Sequence, residues 1–499
     1  MCRKNFSFVS YVTCIFCNFA VSFKNNCLMD QNTQKTLSPF EQELEEKGLE
    51  ISKLMPYYPC LREVCHRLEP AACPAALFVG AALFGTLMTR CTYRFYHQAR
   101  KLRRLNYCVF IIGNPATGKS FAERLYDVIA DPIIKETKKG TNAINNYKRK
   151  RSRWEKGGCK GQGPEEPHVL IRTHPARTSN RVFIEDMMNA VETVDGQEMR
   201  LHMLSFDTEL DNAINMQGEA WSNKAYLELK AFHNEEDGQF FKSLDATLCN
   251  FNVFWNFIYT GTPLALRHKV NEKNIGTGLA TRLACIPMPK THFRMMEFEE
   301  YNPSKGNPTL TEEEQTLSMW SERLNKVHGQ LPIEQLVRYT YDWTKWHMEE
   351  AKEDDSEADE IMVKRVAYYG INVSVPFIVM RHWDEWQQSG TLSIDDHDLA
   401  LCKLVMDIQF MCQQHFFWKY WEDYFIRVNE AGQPVMKRHT QVMRQRYAMM
   451  PDPFDVWDLM DFCGIQKRTA EKMIERWLND GNIERLEQGV YAKKYLYLL

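Results

Sequence analysis

One short stretch constrains the fold more than any other part of the chain. Residues 107–112, "YCVFII", are apolar and run directly into "GNPATGKS" at residues 113–120. The second part matches the phosphate-loop pattern G-x-x-x-x-G-K-[ST] at every position. An apolar strand before such a loop and a helix after it form the context that a phosphate loop requires. We therefore predict a strand–loop–helix unit that binds a nucleotide.

Each residue type in this loop has a chemical reason. Gly113 and Gly118 let the backbone bend so that its N–H groups face phosphate oxygens, and the following helix adds its dipole. Lys119 brings a positive charge to the β and γ phosphates, and Ser120 offers a hydroxyl to Mg²⁺. The expected nucleotide contacts are Gly113, Asn114, Pro115, Ala116, Thr117, Gly118, Lys119, Ser120 and Phe121. The expected cofactors are ATP and Mg²⁺.

A second strand supplies the acids that such a loop needs. Residues 201–210, "LHMLSFDTEL", read as a buried strand that ends in carboxylates. A P-loop enzyme holds Mg²⁺ partly through an acid at the end of a neighbouring strand. We predict Asp207 as that metal ligand, with Ser120, and Glu209 as the residue that polarises water. Thr208 separates the two acids, so the division of roles stays open, and a solvated acidic turn is the alternative.

Further candidates follow later apolar runs. In "WNFIYTGTP", residues 255–263, Thr260 and Thr262 could contact the γ-phosphate or the attacking water, with Asn256 a weaker candidate. An ordinary strand and turn is the alternative. Arg282 stands between a glycine-rich turn and an apolar run, where ring-shaped ATPases carry an arginine that reaches a neighbouring subunit's nucleotide. An ordinary ion-paired arginine is the alternative there.

These motifs together resemble a known group of proteins. "GNPATGKS", the strand ending at Asp207, "GLATRL" and the helix "DDHDLALCKLVMDI" resemble a domain-of-unknown-function P-loop ATPase family of bacterial mobile elements. Its members resemble the helicase part of phage and plasmid primase–helicases. The resemblance covers residues 50–425. It departs from the usual pattern in the Asp-Thr-Glu order, and no primase-type catalytic domain precedes the loop.

The resemblance implies an ATPase of the AAA+/RecA-like class that serves replication or mobilisation of an element's DNA. It implies DNA as a partner, single-stranded or fork-like, a homo-oligomer such as a hexamer-like ring, and a separate primase or replication protein. Arg365 falls where the lid arginine of such ATPases contacts the γ-phosphate. The competing hypotheses are a nucleotide-switched DNA-binding protein without unwinding activity and a small-molecule P-loop kinase, for which the helical C-terminal region has no purpose.

The order of apolar segments predicts the wider organisation. Strands that alternate with helices up to about residue 300 favour an α/β fold with a mostly parallel sheet. The resemblance implies that this fold is a P-loop core of the AAA+/RecA-like type. Long helical segments follow, and the chain ends in a winged helix-turn-helix pattern. The predicted segments are a leader at residues 1–37, a helical N-terminal region at 38–104, the P-loop ATPase core at 105–300, a helical lid at 301–435 and a winged helix-like domain at 436–499.

Composition places the chain among cytoplasmic globular proteins. Hydrophobic residues make up 44% and charged residues 25%, and the net charge of −3 gives no overall attraction to nucleic acid. The 15 cysteines are too sparse for a disulfide scaffold, which favours reduced thiols. The apolar residues 5–23 are expected to be an over-extended start or disordered leader rather than a membrane segment. The apolar residues 76–89 are expected to form a packed helix, so we predict no membrane association.

Two segments are candidates for contact with DNA. A helix is predicted at residues 119–138 and a basic hairpin or loop that leaves the core at 142–167. The basic segment 135–160 could contact DNA, with Tyr147 and Trp154 available to stack on bases. A solvated coil is the alternative. Its ten basic residues are Lys135, Lys138, Lys139, Lys148, Arg149, Lys150, Arg151, Arg153, Lys156 and Lys160. In the C-terminal domain the helix "QKRTAEKMIERWLNDG" would approach DNA, although winged helices also dock proteins.

Overall fold

The computed structural model describes residues 37–174, 178–209, 224–239, 249–291, 310–430, 447, 450–463, 465–479 and 483–494. The chain divides into two compact units, one ending at Glu422 and the other beginning at Asp423. Residues 1–36 of the predicted leader, the predicted turn at Gly464 and the predicted boundary at residues 435–436 lie outside the described residues.

The first unit contains both helices and strands. Its helices are α1 (Pro39–Leu54), α2 (Pro59–Val64), α3 (Cys73–Leu87), α4 (Phe121–Ile129), α5 (Asp131–Lys156), α6 (Asn180–Asn189), α7 (Ala225–Ala231), α8 (Pro263–Lys269), α9 (Glu312–Leu324), α10 (Glu334–Glu353), α11 (Glu357–Arg381), α12 (Trp383–Ser389) and α13 (Asp396–Glu430), which crosses the boundary. Its strands are β1 (Arg90–Arg94), β2 (Leu102–Arg103), β3 (Cys108–Ile112), β4 (Val191–Val194), β5 (Gln197–Arg200), β6 (Met203–Asp207), β7 (Glu236–Gln239), β8 (Cys249–Asn252), β9 (Trp255–Gly261), β10 (Ala284–Pro287) and β11 (His328–Gln330).

A parallel sheet of four strands forms the centre of this unit. The strand order is β10-β3-β9-β6, and each neighbouring pair is parallel. Every residue of β3, β9 and β10 is buried, as expected of strands covered on both faces. Thr173 adds an isolated parallel bridge to Leu204 beside β6. The α/β part of the predicted fold class is therefore confirmed.

Helix α3 covers this sheet and explains the apolar residues 76–89. Every one of its residues is buried, and it packs against β3, β9, β10 and α11. The window Pro70–Leu87 is long and apolar enough to cross a membrane, but 89% of it is buried inside the protein. The prediction of a packed helix is confirmed for this segment.

The close packing of α3 gives a test of the fold. A Cβ atom on Gly85 would lie 1.9 Å from Oη of Tyr107, whose hydroxyl donates to the Asn372 carbonyl. We expect Gly85→Ala to lower the free energy of unfolding by about 1–3 kcal/mol, because the buried ring cannot retreat without losing this bond. Denaturant unfolding measures the change, with Gly157→Ala at the exposed end of α5 as the control. Equal stability of the two variants would contradict the packing described here.

Residues 90–103 correct the expectation of a helical N-terminal region. β1 pairs in parallel with β11 and antiparallel with β2. Cys91 and Tyr93 alternate into the interior, which is the period of a strand. Two hairpins were also missed, β4–β5 and β7–β8. The first turns at Asp195 and Gly196, both with positive φ, and "DG" between alternating residues is the sequence signal that could have identified it.

The basic segment also differs from its prediction. Helix α4 ends at Ile129, and α5 begins with Pro132 in its first turn and continues through the basic residues to Lys156. The predicted hairpin or loop at 142–167 is wrong from Asn142 to Lys156. Lysine and arginine are good helix formers, because their straight side chains lose little freedom in a helix. Gly157 follows the last turn, so the Gly/Pro-rich part begins only there.

The helical region after residue 300 follows its prediction, apart from β11. The second unit contains β12 (Phe454–Asp455), α14 (Val456–Cys463), α15 (Lys467–Asn479), β13 (Ile483–Glu487) and β14 (Val490–Lys493). Its strands form an antiparallel sheet in the order β12-β14-β13. The core takes in the predicted apolar face of α15, with Ala470 and Ile474 buried and Met473 and Trp477 packed against them.

Candidate functional site

The parallel sheet brings the predicted loop and the predicted acid to the same edge. Ile112, the last residue of β3, pairs with Gly261 of β9, and Asp207 at the end of β6 pairs with Tyr259. β9 lies between the other two strands, so the ends of β3 and β6 are roughly 10 Å apart. The edge at the carboxyl ends of parallel strands is where open α/β sheets bind ligands. We name it the carboxyl edge.

The phosphate loop is sharply bent at the carboxyl edge. Its first residue, Gly113, donates its N–H to the Gly261 carbonyl at 3.0 Å, which fixes the loop to β9. Ala116 and Gly118 both have positive φ, at 62° and 79°. A Cβ on Gly113 would lie 2.6 Å from the Thr117 hydroxyl, so a larger residue would disturb the loop. Gly118 therefore adopts a backbone conformation that favours glycine, and Gly113 stands where a side chain would be crowded.

The loop presents backbone donors to its surroundings. Within the described part of the chain, the N–H groups of Ala116, Thr117, Gly118 and Ser120 donate to no other group. Successive N–H groups in such a turn form a concavity that binds anions. Helix α4 begins immediately after them, and the Ser120 hydroxyl makes no capping bond. This arrangement fits a nucleotide's phosphates, with the Ser120 hydroxyl left for a cation.

Lys119 lies against the loop itself. Its Nζ donates to the carbonyls of Gly113 at 2.9 Å and Asn114 at 2.8 Å. The Thr117 hydroxyl donates to the same Asn114 carbonyl at 2.8 Å. The ammonium group is therefore held beside the free N–H groups, where a side-chain rotation would bring it to a bound phosphate. This position fits the predicted role of the lysine.

The two acids have different environments. The Asp207 carboxylate is half-buried and accepts a hydrogen bond from the Glu209 N–H at 2.9 Å. Burial raises the pKa of Asp207, the backbone bond lowers it, and the Glu209 charge raises it again. A cation bound at Asp207 would offset the free-energy cost of a negative charge that is half-buried and close to Glu209. Glu209 is exposed, so the half-buried Asp207 suits a metal ligand and Glu209 suits contact with water.

Metal binding at this edge would depend on the nucleotide. Among the described residues, no group of three or more His, Cys, Asp or Glu side chains could hold a metal ion. Mg²⁺ is usually held by one or two protein ligands together with substrate phosphates and waters. Asp207 and Ser120 fit that pattern, because each would supply one oxygen and the nucleotide would supply others.

The three polar candidates on β9 and directly after it make different contacts. The Thr260 hydroxyl donates to the Thr208 carbonyl at 2.6 Å and so stabilises the turn that carries the acids. Thr262 caps α8 by accepting from the Ala265 N–H. Asn256 is fully buried near the other end of the strand, where it accepts from the Tyr107 N–H and donates to Thr86. Thr260 is the candidate that contacts the acid turn, and Asn256 has a structural role instead.

Arg282 lies at the opposite edge of the sheet, which we name the amino edge. The turn Ala280–Arg282 comes just before β10, and Ala284 pairs with Val109 at the start of β3. Along the strand direction, Arg282 lies about six residues from the chain's own phosphate loop, which at the rise of a β-strand corresponds to roughly 20 Å. Arg282 makes no ion pair among the described residues, although Glu235 is near enough to act on its charge. It lies away from the chain's own predicted phosphate loop.

Arg365 corrects another expectation. It lies on α11, and its Nη1 donates to the Thr281 hydroxyl beside Arg282. It is therefore at the amino edge and does not face the chain's own phosphate loop. Sequence reasoning also missed Arg103 and His233. The charges of Arg103, Arg365 and Arg282 all lower the pKa of His233, so these side chains lie near one another. The segments that carry these residues are far apart in sequence, so no local pattern indicated the cluster.

The basic helix offers a charged surface in the first unit. Gly140 packs against residues 169–171, and beyond it no residue of α5 is buried. All ten basic residues of the segment 135–160 are exposed. Trp154 is half-buried and donates to the Lys160 carbonyl at 3.1 Å. The exposed charge of this helix is the feature that could bind DNA phosphates.

No protein-family model matches the sequence, and no curated protein matches it either.

Proposed function

We propose that this chain is an ATP-hydrolysing, helicase-like protein that acts on DNA during replication or mobilisation of a mobile genetic element. The observation that carries the proposal is the phosphate loop with unpaired N–H groups at the same sheet edge as the half-buried Asp207. An ATPase needs both parts at one place, and a chance motif would not bring an acid to it. ATP rather than GTP is the expectation of the class.

Each residue of the proposed site would have its own role in ATP hydrolysis. The loop N–H groups and Lys119 would hold the β and γ phosphates, and Ser120 and Asp207 would hold Mg²⁺. The metal supplies charge neutralisation on the phosphate oxygens when bound. Glu209 is exposed on the turn that Thr260 stabilises. It would orient the attacking water and accept a proton from it. Arg282 would stabilise the transition-state charge of the next copy in a ring.

The architecture favours this proposal over a small-molecule kinase. Five helices, α9 to α13, follow the strands of the parallel sheet in the chain, and a second unit with two helices and an antiparallel sheet comes after them. Helix α15 of that unit exposes Lys467, Arg468, Lys472 and Arg476, while its apolar face is buried. These features support a winged helix-like domain that contacts DNA, and a small-molecule kinase has no need of them.

The basic part of α5 gives a prediction for DNA binding. Replacing Lys148, Arg149 and Lys150 with glutamine removes three exposed charges that make no ion pair among the described residues. We expect weaker binding to every single-stranded sequence and a salt dependence whose slope falls by about 0.7 per lost phosphate contact. Fluorescence anisotropy at several salt concentrations measures both quantities.

The control for this prediction removes the same charge elsewhere. Lys345, Lys352 and Lys364 are exposed on α10 and α11, and their replacement by glutamine should leave DNA affinity within about twofold. An equal loss in both triple variants would mean that total charge matters and that α5 is not a DNA surface.

A nucleotide switch without unwinding is the second candidate, because the same loop geometry serves binding alone. Strand displacement separates the two. The helicase-like proposal expects ATP-dependent separation of a forked duplex by the wild-type protein. A switch would show DNA affinity that differs between ATP and ADP, with no separation of strands at any protein concentration.

A further inference from the structure

Four basic side chains converge at the amino edge from separate parts of the chain. Arg103 ends β2, His233 follows α7, Arg282 precedes β10, and Arg365 lies on α11. Arg103 is buried and the other three are half-buried. We name this group the amino-edge cluster. Charged groups in such surroundings are usually paired with an acid, so their partners identify what the cluster is for.

The contacts within the cluster hold the side chains side by side. Nη1 of Arg103 lies 3.3 Å from Nδ1 of His233, and Nη1 of Arg282 donates to the Gly278 carbonyl at 2.9 Å. A Cβ on Gly278 would lie 2.9 Å from Nη1 of Arg282 and 3.8 Å from Nη1 of Arg365. The two guanidinium groups therefore flank the same glycine, which leaves room for both.

Within the described residues, no acid forms an ion pair with the arginines of the cluster. Glu235 is near enough to act on the charges of Arg282 and Arg365. Nε of Arg103 and Nε of Arg282 are buried without a hydrogen-bond partner in the described chain. An anion supplied from outside the described residues would satisfy these two donors and the unpaired charges.

The pKa values of Arg365 and His233 agree with the need of the cluster for an anion. Burial, followed by the charge of Arg282, lowers the pKa of Arg365 to about 10. Burial, followed by Arg103, Arg365 and Arg282, lowers the pKa of His233 to about 3. His233 is therefore neutral at physiological pH. Its Nδ1 accepts from Arg103, which orients the arginine and leaves Nε2–H as a further donor.

We propose that Arg365 acts together with Arg282 as a pair that binds the phosphate oxygens of a nucleotide held by a second copy of this chain, with Arg103 and His233 as positioning residues. The proposal rests on the proposed ATPase function. A second copy is the source because the chain's own loop lies at the far edge of the sheet. Paired guanidinium groups match the geometry of phosphate oxygens, as a single lysine does not.

The test uses Arg365→Ala, with Lys364→Ala as the matched control. Lys364 is the neighbouring residue on α11, exposed and paired with Glu360 at 2.5 Å. We expect Arg365→Ala to lower the rate of ATP hydrolysis at least tenfold while the Kd for a fluorescent ATP analogue changes less than twofold. Arg365→Lys keeps the charge and should recover only part of the rate. Hydrolysis at the wild-type rate in Arg365→Ala would overturn the proposal.

Mixing decides between action on a second copy and support of the chain's own fold. Lys119→Ala protein has a disabled loop but an intact amino-edge cluster, so mixing it with Arg365→Ala protein should restore hydrolysis. If Arg365 only stabilises its own chain, mixing restores nothing, and the proposal is wrong.

A separate readout distinguishes failure of this site from failure of the proposed function. Absence of ATP hydrolysis in the wild-type protein would reject the ATPase. The cluster is then tested with inorganic pyrophosphate on Lys119→Ala protein, whose loop is disabled. A rise in Tm that is lost in Lys119→Ala/Arg365→Ala, but kept in Lys119→Ala/Lys364→Ala, supports the phosphate site. Equal shifts in all three proteins would overturn it.

Discussion

Lys119→Ala is expected to lower the rate of ATP hydrolysis by about 100- to 1000-fold, since it removes the charged donor at the phosphate loop. The Lys119 ammonium group is held within the loop by the carbonyls of Gly113 and Asn114, beside N–H groups without partners in the described chain. Its loss leaves the negative charge that develops on the transferred phosphoryl group without its nearest cation. Steady-state phosphate release measures the effect, and a fluorescent nucleotide reports the accompanying loss of affinity.

The control for this variant is Lys345→Ala, an exposed lysine on α10. Both proteins should keep the wild-type free energy of unfolding, because neither side chain is part of the core. Full hydrolysis by Lys119→Ala would refute the assignment of the phosphate loop, and with it the nucleotide site at the carboxyl edge.

The second large effect is expected for Arg282→Ala, at about 1000-fold or more, as for arginines that act across a subunit boundary. Arg282 is too far from the chain's own loop to act there, so its loss should leave nucleotide affinity almost unchanged. Asp207→Ala protein should also be inactive, because it loses a metal ligand at the carboxyl edge. Its amino edge, with Arg282, stays intact.

Mixing the two inactive proteins should recover activity. In a ring built from head-to-tail contacts, equal mixing would place an intact loop against an intact amino edge at about a quarter of the interfaces if copies exchange freely. Hydrolysis rates across a series of mixing ratios should therefore pass through a maximum. A flat line at the level of the separate variants would show that Arg282 acts within one chain, or that the protein does not assemble head to tail.

Local patterns predicted the parts of the site that depend on local geometry. The phosphate loop is a continuous stretch whose glycines, lysine and serine each have a backbone or charge requirement, and the strand before it is apolar throughout. Asp207 was predicted because a buried run ends at it. The parallel register of β6 and β9 then brings this acid to the loop, a result that needed the sheet itself.

The rest depended on tertiary contacts that no pattern in one sequence shows. Arg365 looked like a lid arginine, but α11 crosses the amino edge, where its side chain meets Thr281. Asn256 is buried in hydrogen bonds to Tyr107 and Thr86, which belong to distant segments. The basic residues from Asn142 onward looked like a hairpin or loop because they run into a Gly/Pro-rich stretch, yet up to Lys156 they belong to one helix.

The most direct test of the central claim is the rate of phosphate release from ATP with Mg²⁺, measured for the wild-type protein with and without single-stranded DNA. We predict hydrolysis in both conditions and a clear increase when DNA is present, abolished in both by Lys119→Ala. A protein that binds ATP but releases no phosphate, or whose rate ignores DNA, would contradict the account of an ATPase that acts on DNA.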